Sequence, residues 1–192
     1  MSSFEIAARS LIGTVFLISS VSKARSRESY QDFAHSLAQM RVVPLALEGF
    51  ATRLVVIAEF AVWVLLAVPT AQAGWMGQLL AAGLLAAFTV GISRTVRRHS
   101  LVACRCFGVS STPIGVRHIV RNALLAAVAL SALLVPASGP VSAGMALVAA
   151  LVGLVMGLVT TVLDEIFALF RPLTQNGTSR SSTRFPIEPQ ES

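Results

Sequence analysis

Charged side chains are scarce in this 192-residue chain. Asp, Glu, Lys and Arg together make up 12 % of the residues, whereas hydrophobic residues make up 55 %. A soluble globular domain carries roughly a quarter charged residues, so this chain lacks the polar surface that would keep it in water. With a mean hydropathy of +0.75, the composition indicates an integral membrane protein that contacts the lipid bilayer.

Acidic residues and catalytic motifs are also lacking. Nine acidic residues against 15 basic ones give a formal net charge of +6. Because the basic residues cluster beside apolar segments, they favour cytoplasmic flanks that face anionic lipid headgroups, and no nucleic-acid partner is expected. There is no Walker motif, no HExxH and no GxGxxG, so catalysis on a soluble substrate has little support. Glu5 stands where a signal peptide needs basic residues, so the first hydrophobic segment is expected to be retained.

Five apolar stretches are long enough to span a bilayer, for which a helix needs about 20 residues. They cover residues 4–22, 49–68, 74–94, 118–136 and 141–163. Since only helices satisfy their backbone within one segment in lipid, the sequence predicts an all-α, polytopic transmembrane bundle of about five helices. We expect this bundle to fill residues 1–173, and the polar, Ser/Thr/Pro-rich residues 174–192 to form a disordered tail.

The connections between these segments differ in charge. Residues 23–53 and 94–121 are rich in arginine, whereas residues 69–74 and 136–140 are uncharged and read as tight hairpins. By the positive-inside rule the basic loops are cytoplasmic, which predicts a multi-pass plasma-membrane protein with its N-terminus outside and its C-terminus inside.

The first basic loop contains a further helical pattern. Apolar residues at helical spacing predict a short amphipathic helix that ends before Pro44. Two interpretations remain open, a helix lying in the membrane interface and a helix packed on the end of the bundle. The residues of the apolar face are Tyr30, Phe33, Ala34, Leu37 and Met40.

The only two cysteines, Cys104 and Cys106, lie one residue apart in the second basic loop. Such a pair closes a very small, strained ring, and strained disulfides are oxidising and exchangeable. Neighbouring arginines favour the thiolate, which is the attacking form. Redox exchange is therefore one hypothesis. Binding of a soft metal with a histidine is a second, although the ligands are too few for a structural zinc site and no metal is expected. Two inert thiols are the third.

Ionisable residues inside the spans are the next candidates. Glu59 lies well within the second apolar segment, where a charge requires a partner, and Lys23 at the end of the first segment is the natural one. The pair is interpreted either as a structural clasp between two helices or as a proton-handling site. Arg9 lies inside the first segment and is expected to snorkel to the outer headgroups.

The start of the fourth span and one face of the fifth carry two more patterns. Arg117 and Arg121 share a helix face, with His118 and Asn122 beside them. They are candidates for holding the cysteine loop, binding an anionic headgroup or contacting a quinone-like cofactor. In the fifth span, small residues four apart allow close helix contact within one chain or between chains of a homo-oligomer. These small residues are Ala149, Gly153 and Gly157.

Several of these residues also carry a family resemblance. The run 13–23, which ends in small residues and Lys23, resembles the opening helix of the MauE family (methylamine utilisation protein MauE), within the DoxX-like small membrane proteins. Glu59 matches the acidic residue of that family's second helix. The segment 104–108 matches its C-x-C-F-G motif through Cys104, Cys106, Phe107 and Gly108, and Arg121-Asn122 matches the Arg-Asn that opens its following helix.

The resemblance implies a function in the maturation of exported proteins such as a methylamine dehydrogenase subunit, and hence in methylamine metabolism. The implied mechanism is thiol–disulfide exchange by Cys104 and Cys106 with a thioredoxin-like partner, supported by Lys23, Glu59 and Arg121. One conflict follows, because a relay for exported proteins should present its thiols outward, whereas the basic loops place them inside. The alternatives are a non-catalytic membrane scaffold for a redox partner and a small proton or solute transporter.

Overall fold

The computed structural model describes residues 2–40, 43–97, 116–135 and 141–169. These ranges contain six α-helices and no strand, and a short 3-10 helix, Leu45–Leu47, precedes the third α-helix. All the helices except α2 are long and apolar enough to cross a membrane, which confirms the predicted five-span bundle. The helices are α1 Ser3–Ala24, α2 Arg27–Gln39, α3 Glu48–Ala67, α4 Ala71–Arg97, α5 Val116–Leu134 and α6 Ala143–Leu169.

Hydroxyl side chains cap the first turns of several helices, although not of α3. Ser2 precedes α1 and its Oγ accepts a hydrogen bond from the Glu5 N–H at 3.1 Å. Thr70 does the same for α4, accepting from the Ala73 N–H at 3.3 Å. Such caps satisfy backbone donors that the first turn leaves unpaired. The start of α4 was therefore predicted three residues too late, because the cap at Thr70 was not used as a signal.

The order of the helices gives the bundle two distinct ends. Only residues 68–70 separate α3 from α4, so these two helices are antiparallel. Trp75, near the start of α4, lines the same small cavity as Leu133, near the end of α5, so α4 and α5 are antiparallel as well. We call the end with residues 68–70 the hairpin end. The opposite end, at which α1 and α4 end and α3 and α5 begin, is the α2 end.

Helix α6 lies against α1 through its small residues and runs parallel to it. Gly153 faces Ala7, and a Cβ built on Gly157 would lie 3.0 Å from the carbonyl oxygen of Leu11. Glycine at these positions allows the two backbones to approach closely. The small-residue face of the fifth span therefore packs within one chain, which settles the alternative that the sequence left open.

Helix α1 lies at the centre of the bundle. Its buried Ile12, Val15 and Phe16 join a core with Val62 of α3 and Leu85 of α4. Helix α2 also contributes to this core, because Phe33 is buried while the polar residues of its opposite face remain accessible. Helix α2 therefore packs on the end of the bundle, which is one of the two interpretations that the sequence left open.

Candidate functional site

A buried ion pair joins α1 to α3. The Lys23 Nζ donates to both carboxylate oxygens of Glu59, each at 2.9 Å. The side chain of Lys23 is 2 % exposed and that of Glu59 is 0 % exposed. The predicted pairing is thus confirmed. Lys23 is also the only lysine among the 15 basic residues, all the others being arginine.

Two further side chains complete the surroundings of the lysine. Ser19 lies one helical turn before it, so the ammonium group donates to the Ser19 Oγ at 2.6 Å. The Ser19 hydroxyl in turn donates to Glu59 Oε1 at 3.3 Å. The Phe33 ring of α2 lies over the ammonium group, with its centroid 4.8 Å from Nζ, a distance at which the ring face attracts a cation. We call these four residues the Lys23 cluster: Ser19, Lys23, Phe33 and Glu59.

The Lys23 cluster lies near the middle of a membrane span. Glu59 is the twelfth of the 20 residues of α3, so at 1.5 Å per residue its Cα lies about 16 Å from the start of the helix and about 12 Å from its end. The lysine reaches this depth from the last turn of α1, because helical side chains lean toward the N-terminus. A lone charge at such a depth is costly, and mutual pairing offsets that cost.

Arg121 and Asn122 of α5 lie beside this cluster. The positive charge of Arg121 is close enough to act on Lys23, and its Nη2 donates to the Asn122 Oδ1 at 3.4 Å. Asn122 is fully buried, whereas Arg117 is exposed and His118 is half-buried. Arg117, one turn earlier on the same helix, is thus exposed, whereas Arg121 is partly buried beside the Lys23 cluster.

The remaining predicted site residues lie outside the described ranges. Cys104, Cys106, Phe107 and Gly108 belong to residues 98–115, which connect α4 to α5. The two described residues that flank this connection, Arg97 and Val116, are at the α2 end of the bundle. Within the described ranges, no three His, Cys, Asp or Glu side chains gather into a group that could bind a metal.

Arg9 is held by the protein at the hairpin end. Its Nη2 donates to the carbonyl oxygen of Thr70 at 2.5 Å and its Nη1 to that of Val68 at 3.4 Å. Its Nε also lies 3.6 Å from Glu5 Oε1. The side chain is buried rather than extended to the lipid headgroups, so the prediction that it snorkels is wrong. Hydrogen bonds to the carbonyls after α3 stabilise the guanidinium instead.

Two members of the Lys23 cluster, Ser19 and Phe33, were not predicted from the sequence. Ser19 stands four residues before Lys23, which is the spacing of neighbours on a helix surface, so the signal was present. Phe33 was assigned to the apolar face of α2, but no sequence pattern connects that face to Lys23. Its position depends on how α2 folds back over the end of α1.

The chain matches the family model described as Methylamine utilisation protein MauE over residues 1–135. This match spans α1 to α5 and includes the Lys23 cluster and the cysteine-containing connection, whereas α6 lies beyond it. No curated protein and no solved structure is similar enough to count as a match. Since the family model covers most of the chain, the protein belongs to the MauE family.

Proposed function

We propose that this MauE-family membrane protein carries out thiol–disulfide exchange, with Cys104 and Cys106 as the reacting pair and a thioredoxin-like protein as the partner. The observation that carries the proposal is that the cysteine-containing connection and the cationic residues Lys23 and Arg121 belong to the same end of the bundle. The connection that contains the cysteines leaves α4 and enters α5 at the α2 end, where α1 ends with Lys23 in its last turn and the first turns of α5 carry Arg121. Cationic side chains near a thiol favour the reactive thiolate.

In the proposed exchange, one thiolate attacks a disulfide of the partner and forms a mixed disulfide. The second cysteine then attacks its neighbour's sulfur, which releases the partner as a dithiol and leaves Cys104 and Cys106 joined. Two electrons and two protons pass to the partner, and the reverse sequence reduces the pair again. A membrane quinone is a second acceptor class, which would leave as the quinol after taking the same two electrons and two protons.

Lys23 and Glu59 support this site from within the bundle. Both are almost fully buried, so they do not contact a protein partner directly. Their ion pair ties the end of α1 to the middle of α3, while Arg121 and Asn122 lie beside it at the start of α5. We propose that this arrangement fixes the helix ends between which the cysteine pair is presented.

The charge distribution supports a topology with the N-terminus outside and the C-terminus inside. Among the described residues, the exposed arginines of α2, of the start of α3 and α5 and of the end of α4 gather at the α2 end, which is the pattern of a cytoplasmic face. The thiol pair then faces the cytoplasm, and a cytoplasmic thioredoxin-like protein is the partner that fits. In this orientation the reverse exchange applies, in which the reduced partner transfers two electrons and two protons to the disulfide between Cys104 and Cys106.

Trapping of the mixed disulfide tests the exchange. The variants Cys104→Ser and Cys106→Ser each retain one thiol, and the one that removes the resolving cysteine is expected to accumulate a disulfide-linked complex with the partner. The double serine variant is the matched control and should trap nothing. If the double variant supports maturation of exported disulfide proteins as well as the natural chain, the cysteines are not needed and the protein is a scaffold.

Labelling with a membrane-impermeant thiol reagent tests the topology. The reagent should reach Cys104 and Cys106 in inverted vesicles and not in intact cells. Labelling of intact cells only after reduction would instead mean an outward-facing, oxidised pair and would reverse the proposed orientation.

The depth of the ion pair favours one second candidate, a proton or solute transporter that uses Lys23 and Glu59. A paired charge near the middle of a span is a common feature of transport pathways. Flux measurements in proteoliposomes with Glu59→Gln separate this candidate from the first. Unchanged flux in this variant would exclude transport through the pair, and loss of flux with intact disulfide exchange would favour it.

A further inference from the structure

A groove runs along α1 between α3 and α6, both of which pack on α1. It has a volume of about 530 Å³, and its lining includes Ser10 and Gly13 of α1, Trp63 of α3 and Leu154 of α6. The groove is open above Gly13, because the nearest atom to a Cβ built on this residue is the Leu66 Cβ, at 3.8 Å. We call it the α1 groove.

The α1 groove is apolar and continues the lipid-facing surface of the bundle. Leu17 and Leu154, which line it, are 38 % and 42 % exposed, and they belong to helices that are apolar enough to span the membrane. No water is available in the hydrocarbon region of a bilayer, so the surface that the groove joins is covered by hydrocarbon chains. The occupant of the groove is therefore apolar over most of its length.

The length of the groove corresponds to one leaflet of a bilayer. Along α1 it extends from Ile6 to Leu17, which is about 17 Å at 1.5 Å per residue. The hydrocarbon core of a bilayer is about 30 Å thick, so one leaflet contributes about 15 Å. Since Ile6 is the fourth residue of α1, the groove lies in the leaflet at the hairpin end.

The volume favours a hydrocarbon chain over a helix from a second copy of the protein. An α-helix with its side chains is about 10–12 Å across, so it would occupy at least about 1,300 Å³ over this length. The groove offers less than half of that volume. A single file of carbon atoms, which approach other carbons to about 3.5–4.0 Å, is thin enough to lie within it.

Arg9 gives the α1 groove a positive charge toward the hairpin end. It lines the groove and is the seventh residue of α1, so its Cα lies about 9 Å from the start of the helix. The Glu5 carboxylate, 3.6 Å from the Arg9 Nε, lines a different cavity that faces α4 and α5. A guanidinium group is complementary to the phosphate and ester oxygens of a phospholipid, which lie at the headgroup end of its chains.

We propose that the α1 groove binds one acyl chain of a phospholipid from the leaflet at the hairpin end, with the lipid oxygens on the side of Arg9. The chain packs between Trp63 of α3 and Leu154 of α6 and fills the space that these helices leave on α1. This proposal does not depend on the thiol chemistry.

The two tryptophans of the chain provide a reporter and its control. Trp63 lines the α1 groove, whereas Trp75 lies on α4, outside its lining. Each lies four residues from the hairpin end of its helix, or about 6 Å, so the two have similar depths in the membrane. Trp75 is 56 % exposed and Trp63 is half-buried. Lipid at the general surface should therefore quench Trp75 at least as strongly as Trp63.

Fluorescence quenching by phosphatidylcholine with dibrominated chains tests the proposal. The lipid is titrated into the full-length protein in detergent micelles, with Trp75→Phe to observe Trp63 and Trp63→Phe to observe Trp75. Quenching of Trp63 should saturate at one lipid per chain, whereas quenching of Trp75 should rise only with the lipid content of the micelle. Quenching of Trp63 that does not saturate and does not exceed that of Trp75 would overturn the proposal. Unquenched Trp63 in a protein that sediments as a dimer would mean that a second copy covers the groove instead.

A variant that fills the groove tests where the lipid binds. Gly13→Phe places a ring in the open space, so the apparent Kd of the saturable quenching should increase at least about tenfold. Gly83→Phe is the matched control, because a Cβ on Gly83 also meets no atom within 4 Å and Gly83 belongs to α4, whereas the groove lies between α3 and α6 on α1. Equal Kd values for the two variants would mean that the lipid binds elsewhere. If Gly13→Phe does not fold, the titration of the Trp75→Phe protein still decides between the outcomes above.

Discussion

Removing one member of the Lys23–Glu59 pair should cost far more stability than removing both. Glu59→Leu leaves the ammonium group with Ser19 as its remaining hydrogen-bond partner in the cluster, so two of its three bonds are lost. Hydrogen bonds to charged groups contribute about 1.5–3 kcal/mol each, which gives about 3–6 kcal/mol. This range agrees with the cost of about 3–5 kcal/mol for breaking other buried ion pairs. Lys23→Met should cost a similar amount, since it leaves a buried carboxylate.

The double variant Lys23→Met/Glu59→Leu should be more stable than either single variant. Two apolar side chains of similar volume replace the pair without leaving a charge behind, and such replacements are often nearly neutral. We therefore expect a coupling free energy of at least about 2–3 kcal/mol between the two positions.

The free energies of unfolding of these variants can be measured by reversible unfolding in mixed micelles, in which the fraction of a denaturing detergent is increased stepwise. The fluorescence of Trp63 and Trp75 provides the signal. Arg53→Met is the matched control, because Arg53 is an exposed cation on α3 and its loss should change the free energy of unfolding by less than about 0.5 kcal/mol. The two single substitutions each change the free energy of unfolding. If the sum of these two changes equals the change in the double variant within about 0.5 kcal/mol, the residues do not interact and the described cluster is refuted.

Three further substitutions test separate contacts. Gly153→Ala should lower the free energy of unfolding by about 1–3 kcal/mol, because the added Cβ overlaps the backbone of α1 and pushes α6 away. Gly74→Ala should destabilise by a similar amount, about 1–3 kcal/mol, since the new methyl group takes the space of the Arg9 guanidinium. Phe33→Ala should expose Lys23, the only lysine, so that an amine-reactive reagent modifies it faster in the folded protein, as measured by mass spectrometry.

Each of these predictions has a control of the same type. Gly144→Ala in α6 and Gly83→Ala in α4 add a methyl group where no atom lies within 4 Å, so they should be neutral or stabilise the helix by about 0.5–1 kcal/mol. Phe50→Ala removes a ring that is 67 % exposed and should leave the modification of Lys23 unchanged. Equal effects of a substitution and its control would contradict the contact concerned.

The helical architecture could be predicted from the sequence because lipid imposes strong local rules. Every span needs about 20 apolar residues with its backbone bonds closed within the segment, so the five membrane helices follow from composition and length alone. The partner of Glu59 could be predicted on the same ground, since an ionisable side chain at that depth needs an opposite charge and Lys23 lies at the end of the first span.

Contacts between residues that are distant in the chain were decided only by the tertiary structure. Arg9 donates hydrogen bonds to carbonyl groups about 60 positions away, at Val68 and Thr70. No local sequence pattern distinguishes an arginine that binds the protein in this way from one that extends to the lipid headgroups. The position of Phe33 over Lys23 likewise depends on the fold of α2. Local sequence determines which segments span the membrane because the bilayer acts on each helix separately. Which polar side chains meet inside the bundle depends on how those helices rotate and pack, which is a property of the whole chain.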